Sequence, residues 1–216
     1  MALAFFDLDR TLISVNSARL WVARQRRLGR VGRRDVGRAL VWFGLYRLGK
    51  ARMEDAIHAA AQTLTGLEEA ELREQSARFW EEELEALVRP GARAALETHR
   101  AAGDALVLLT ASSSQLAAAC AASLSLDAVL SNRFQVEQGR FTGRLHEPLC
   151  FGPGKTHHAR QLAEQRGVDL RDCAFYTDSM SDLDMLEAVG RPVVVDPDPR
   201  LTRIARQRSW ERADWD

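Results

Sequence analysis

The sequence predicts an α/β fold: a parallel sheet covered by helices, with an all-helical segment inserted after the first strand. Three observations carry this. A short apolar run, residues 2–6, leads straight into a pair of aspartates, Asp7 and Asp9. From about residue 88 onward, apolar runs of strand length alternate with helix-period segments. Between the two, residues 17–88 show helical periodicity and no strand pattern. A chain of 216 residues can hold one sizeable α/β core and a smaller appended unit.

Taken in order, residues 2–6 read as a buried strand. Met53, Ile57, Ala60 and Leu64 then share one helical face, and Leu72, Ser76, Phe79, Trp80, Leu84 and Leu87 another. Gly32 and Leu48-Gly49-Lys50 break the helical pattern, and Arg89-Pro90-Gly91 stops it. A helix over about 92–102 leads to a strand at 105–110, and a helix from about Ser114 to a strand at 128–130. A hairpin follows, 134–136 against 140–145 around Gln138-Gly139. A helix at about 155–166, a strand at 173–177, a helix at about 182–188, a strand at 192–195 and a last helix complete the pattern. The expected organisation is a Rossmann-like parallel core of residues 1–13 and 88–216, carrying a helical cap of residues 14–87.

Composition narrows the function classes. Thirty basic residues balance thirty acidic ones, so no global field points to nucleic acid. Cys120, Cys150 and Cys173 are odd in number and widely spaced, which fits neither a disulfide framework nor a zinc ribbon and suggests a reducing, cytoplasmic setting. Asp7 interrupts the apolar start too early for a signal peptide, and no apolar run approaches the roughly 20 residues of a spanning helix. Lys50 and Lys155 are the only lysines in an arginine-rich chain, a hint that a compact point charge is needed where they stand.

Asp7 and Asp9 lie two apart at a strand end and so share a face. Two carboxylates at about 4 Å repel by about 4 kcal/mol at an effective dielectric near 20. Such a pair persists if a cation sits between them or if one is protonated and used as an acid. Thr110 ends a predicted strand, Asp178 follows another, and Lys155 opens a helix after Gly152-Pro153-Gly154. Open α/β sheets place their sites at these carboxyl ends.

Four pieces stand together: Phe6-Asp7-Leu8-Asp9-Arg10-Thr11-Leu12, Leu108-Leu109-Thr110-Ala111-Ser112, Gly154-Lys155, and Tyr176-Thr177-Asp178-Ser179-Met180-Ser181-Asp182. Their order and strand context resemble the haloacid-dehalogenase-like superfamily, and the helical insert resembles its phosphoserine-phosphatase-related subfamily. The resemblance implies a phosphatase acting on a small phosphate ester, with Asp7 as the nucleophile that forms an aspartyl-phosphate. It implies Mg²⁺ held by Asp7, Asp178 and the backbone carbonyl of Asp9, with Asp182 in the outer shell orienting Asp178, a metal-bound water or Lys155. Lys155 would pair with a phosphate oxygen. Thr110 would donate its hydroxyl, beside Leu8, Ala111 and Ser112. Asp9 would protonate the leaving alkoxide and then activate water. Thr11 is expected to hold its loop rather than react.

Taken singly, these residues have plainer readings. Asp7 and Asp9 could be turn and cap residues, Asp178 and Asp182 a helix start, and Thr110 a strand end. Lys155 fits a plain helix start less well, because a cation there opposes the helix dipole. Competing motifs fail. Gly154-Lys155-Thr156 lacks the first P-loop glycine, whose position is Leu149, and Ser112-Ser113-Ser114 has no nucleophile elbow. His157-His158 reads as surface rather than as a metal site.

The insert is basic from Arg19 to Arg52 and acidic from Glu68 to Glu85, mostly as solvated helix faces. Its aromatic stretch at 41–46 is read as core packing or a dimer contact in preference to membrane docking, so the chain is expected to be a monomer or homodimer without nucleic-acid or membrane partners. In the family, a glutamate near the start of the cap holds the substrate ammonium of phosphoserine. Asn16 occupies that place here, which puts L-histidinol phosphate ahead of phosphoserine as the expected substrate. Transfer to an acceptor other than water, and a non-catalytic phospholigand or membrane module, are the alternatives.

Overall fold

The computed structural model describes residues 2–30 and 52–215. Gly32, Lys50 and the aromatic stretch at 41–46 lie outside them. The strands are β1 (Leu3–Phe6), β2 (Ala105–Ser113), β3 (Ala128–Asn132), β4 (Phe134–Glu137), β5 (Arg140–Leu145), β6 (Ala174–Thr177), β7 (Arg191–Val195) and β8 (Glu211–Ala213). Six form one sheet in the order β3-β2-β1-β6-β7-β8, every neighbouring pair parallel. All four residues of β1 and of β6 are buried, as near-continuous apolar strands are when helices cover both faces.

Strand alternation divides the core in two. Ala4, Phe6, Leu106, Leu108 and Tyr176 pack on one face, and Leu3, Phe5, Val107, Leu109 and Phe175 on the other. The described helices are α1 (Ser17–Arg27), α2 (Met53–Thr63), α3 (Glu69–Phe79), α4 (Pro90–Ala102), α5 (Ser114–Leu124), α6 (Pro153–Arg166), α7 (Leu183–Ala188) and α8 (Pro199–Gln207). Arg89-Pro90 is a stop and a start at once: Pro90 takes the first helical position of α4, where its missing N–H costs nothing.

The insert departs from expectation in two details. Ala61 rather than Ala60 faces inward from α2. After α3 the chain widens into a π turn, Trp80–Leu84, and then a 3₁₀ turn, Glu85–Leu87, which together keep Phe79, Trp80 and Leu84 buried. The hairpin of β4 and β5, next in the chain to the sheet strands, pairs with the insert. Gly66 donates to the Phe141 carbonyl (2.9 Å), Phe141 to Leu67 (3.0 Å) and Glu69 to Gly139 (2.9 Å). Insert and sheet join through two adjacent segments, where Ser14 donates to Leu87 (3.1 Å) and Arg89 to Leu12 (3.0 Å).

One element escaped the sequence reading. β8 is short and polar, and it forms because β7 offers an open edge. Beyond it Trp215 is buried against Tyr176, with ring centroids 5.4 Å apart, over Gly91, where any side chain would overlap the indole.

Candidate active site

Register sets the site. Phe6 lies opposite Leu108 on one side and Tyr176 on the other, and Tyr176 opposite Val193. The next residues along these strands, Asp7, Leu109 and Thr177, therefore reach the same lip. Past it, the β2–β3 ladder shifts register between Leu109 and Ser113, which takes Thr110, Ala111 and Ser112 out of regular pairing. Asn132, buried at the end of β3, spans this irregularity. Its Nδ2 donates to the Ala111 carbonyl (2.7 Å), and its Oδ1 accepts from the Cys150 N–H (2.8 Å).

Lys155 is the hub. Its Nζ lies 2.9 Å from Asp7 Oδ1 and 2.8 Å from Asp182 Oδ2, and the side chain is buried. Gly154 makes this placement possible, since a Cβ there would overlap the Leu149 carbonyl oxygen. Burial works against the ammonium charge, but Asp182 and Asp7 more than offset it and hold the Lys155 pKa above its usual value. Asp182 also accepts from Thr177 Oγ1 (2.7 Å), while its Oδ1 is buried with no hydrogen-bond partner. Of the three groups Asp182 is expected to orient, Lys155 is the one it contacts directly.

The remaining acids are held from separate elements. The Asp178 N–H donates to Thr11 Oγ1 (3.1 Å), so Thr11 ties the loop after β1 to the loop after β6. Asp9 Oδ1 accepts from the Ser17 N–H (2.7 Å) in the first turn of α1. Thr110, fully buried, accepts from the Ser112 N–H (3.1 Å). The Leu8 side chain goes into the core, leaving its main chain as what it can offer a substrate. Asn16 caps α1, its Oδ1 accepting from the Arg19 N–H (3.1 Å).

Burial dominates the electrostatics. It pushes Asp7 up to about 7 despite Lys155, with Asp182 and Asp178 acting in the same direction. It pushes Asp178 up to about 6 against the pull of Arg10, and it raises Asp9 against the Ser17 hydrogen bonds. Asp7, Asp9, Asp178 and Asp182 therefore share an environment whose nearest described cations are Lys155 and Arg10. That excess of negative charge, carried on hard carboxylate oxygens, suits a divalent cation. Among the described residues no three His, Cys, Asp or Glu side chains form a complete cage. An ion there would be shared by Asp7, Asp178 and main-chain or substrate oxygens.

The polarised insert is partly self-neutralised. Arg24 pairs with Glu82 (2.7 Å) and Glu83 (2.6 Å), and Arg27 with Glu83 (2.6 Å). His158 bonds the Pro148 carbonyl (2.8 Å) and belongs to no metal cluster among the described residues. The three cysteines are free and buried. No helix among the described residues is long and apolar enough to cross a membrane. Sequence reasoning missed Asn132, whose partners lie about twenty residues away in either direction, and Thr177, whose partners Asp182 and Ser179 are close in the chain but are reached only once the loop after β6 has folded. It also missed the capping use of Asn16, although asparagine before a helix is itself a cap signal.

A parallel sheet with acids, a threonine and a lysine gathered at its carboxyl lip is an α/β fold with a candidate active site where open sheets carry theirs. The family model for haloacid dehalogenase-like hydrolases matches residues 4–187, and the chain belongs to that family. It is 34% identical to a phosphoserine phosphatase of Mycobacterium tuberculosis, over 99% of this chain and 71% of that protein. It is 25% identical to a histidinol-phosphatase of Neisseria meningitidis, over 96% of each chain. A solved protein of unknown function from Bordetella pertussis superimposes with a TM-score of 0.92 at 30% identity, covering 100% of this chain and 99% of that one.

Proposed function

We propose that the chain is a Mg²⁺-dependent phosphatase that hydrolyses a small phosphomonoester through an aspartyl-phosphate on Asp7. The observation that carries this is the buried Asp7–Lys155–Asp182 chain, with its 2.9 Å and 2.8 Å contacts, beside Asp178 and Asp9. In this reading residues 1–13 and 88–216 are the catalytic core and 14–87 the cap. A bound Mg²⁺ would be held by Asp7, Asp178 and the Asp9 carbonyl and would supply charge neutralisation for the phosphoryl group.

The chain's own residues account for the rest. Asp7, one oxygen held by Lys155, attacks phosphorus with the other. Lys155 and the Thr110 hydroxyl hold phosphoryl oxygens, so the reaction depends mainly on positioning and charge. Asp9, whose burial favours its protonated form, gives its proton to the leaving alkoxide and then takes one from the water that cleaves the acyl phosphate. The names of the relatives support two candidate substrates, phosphoserine and L-histidinol phosphate.

The test is turnover of phenyl phosphate with and without Mg²⁺ in wild type and Asp7→Asn, followed by a panel of amino-acid, amino-alcohol, sugar and nucleotide phosphates. Activity should require Mg²⁺ and collapse in the variant. Activity that survives Asp7→Asn would remove Asp7 from the nucleophile role.

A further inference from the structure

A crevice of about 490 Å³ opens beside Asp178, with Met53, Phe151 and Met180 among its apolar walls. Its charged lining residues are Arg10, Arg89, Asp178, Asp196 and Asp198. Most are already engaged. Arg89 pairs with Asp196. Asp198 Oδ1 caps α8, accepting from the N–H groups of Arg200 (2.7 Å) and Leu201 (2.9 Å). Asp178 is anchored to Thr11 Oγ1 through its main-chain N–H, which leaves its carboxylate for the metal of the proposed site. Arg10 is different: among the described residues its guanidinium has no ion pair and no hydrogen bond, although its charge acts on both Asp178 and Asp9.

Its backbone adds a second observation. Arg10 has φ +57°, a conformation that favours glycine, and its N–H is fixed on the Val15 carbonyl (3.0 Å). Glycine would make this turn with less strain, so what the position supplies is the exposed side chain at the mouth of the site. A guanidinium matches a carboxylate in a bidentate fork and repels an ammonium. On the other side of the question, Asn16 offers no charge and its oxygen is used in capping α1.

We propose that Arg10 binds a carboxylate on the alcohol half of the ester, so that the preferred substrates are phosphate esters of hydroxy acids, with no requirement for an amine. This rests on the phosphatase reading and reverses the substrate order expected from Asn16 alone, because histidinol phosphate carries an ammonium and no carboxylate.

The test measures equilibrium binding, which does not depend on turnover. With Mg²⁺ present and Asp7→Asn blocking reaction, calorimetry compares 2-phosphoglycolate, ethyl phosphate and phosphoethanolamine. Arg10 should favour phosphoglycolate over ethyl phosphate by about tenfold to a hundredfold, the range of a charge-assisted hydrogen bond. Adding Arg10→Gln should erase that ratio, Arg10→Lys should restore part of it, and Arg10→Glu should turn the preference toward phosphoethanolamine. Melting curves confirm that each protein is folded. Equal ratios in all four proteins, no binding of phosphoglycolate, or a preference of the Arg10 protein for phosphoethanolamine overturns the proposal. Failure of the phosphatase reading shows separately, as absent turnover in the wild type.

Discussion

Asp182→Asn tests the electrostatic hub without changing its shape. The amide oxygen can still accept from Lys155 Nζ and Thr177 Oγ1, which lie 2.8 Å and 2.7 Å from Asp182 Oδ2. The amide nitrogen then takes the place of the unpartnered oxygen. What is lost is the charge. At 2.8 Å and an effective dielectric near 20, the attraction between the ions is about 6 kcal/mol. Relief from desolvating Asp182 returns part of it, and Lys155 keeps Asp7, so the net loss falls at about 3 kcal/mol, the lower edge for breaking a buried pair. For a chain of this size that lowers Tm by roughly 6–12 °C. Thermal unfolding followed by circular dichroism at pH 7 measures it. Because Lys155 is shared, Asp7→Asn combined with Asp182→Asn should cost more than the two singles added, by roughly 1–3 kcal/mol. A Tm within 2 °C of wild type, or simple additivity, would refute the view that both acids support one buried ammonium.

Two further outcomes follow from the geometry. Asn132→Ala leaves the Ala111 carbonyl and the Cys150 N–H without their buried partner, which should cost about 1–3 kcal/mol in urea unfolding; it should also lower turnover of phenyl phosphate by loosening the Thr110–Ser112 segment. At Asp104 burial raises the carboxyl pKa, but the His99 ring (2.8 Å) and the Ala2 N–H (3.0 Å) outweigh it and leave the pKa lowered. A depressed folded pKa gives stability that is fully present above the unfolded value, about 4, and lost as pH falls through the folded value. The difference in urea midpoint between wild type and Asp104→Asn should therefore shrink as pH falls below about 4. A difference that grows on acidification contradicts the assignment.

Much of the fold was legible because its signals are local. The apolar strand ending at Asp7, the helical period of the insert and the Arg89-Pro90 boundary each lie within a few residues. Buried parallel strands also announce themselves as apolar runs, so β2, β6 and β7 could be placed to within a few residues. β8 could not, because Glu211-Arg212-Ala213 has no apolar alternation and is a strand only through the edge it joins. The helical period puts Ala60 on the inward face; Ala61 lies about 100° from it, and the packing of Ala61 against Leu145 and Leu149 decides which of the two faces inward.

By itself the sequence determined which chemical groups are present and that each follows a strand or opens a helix: Asp7, Asp9, Thr110, Lys155, Asp178 and Asp182. Residue identity and short-range pattern suffice for that. Only the tertiary structure decided how they are connected. It gave Asp182 to Lys155, Asp178 to Thr11, Asn132 to the Thr110 segment and Asn16 to a helix end, and it left Arg10 among the described residues without a partner at the mouth of the site. Apart from the Asn16 cap, which is local, those assignments depend on contacts between residues far apart in the chain, fixed by sheet register and by the close approach of backbone at Gly154. No local propensity encodes these long-range contacts, because they exist only once the strands have aligned.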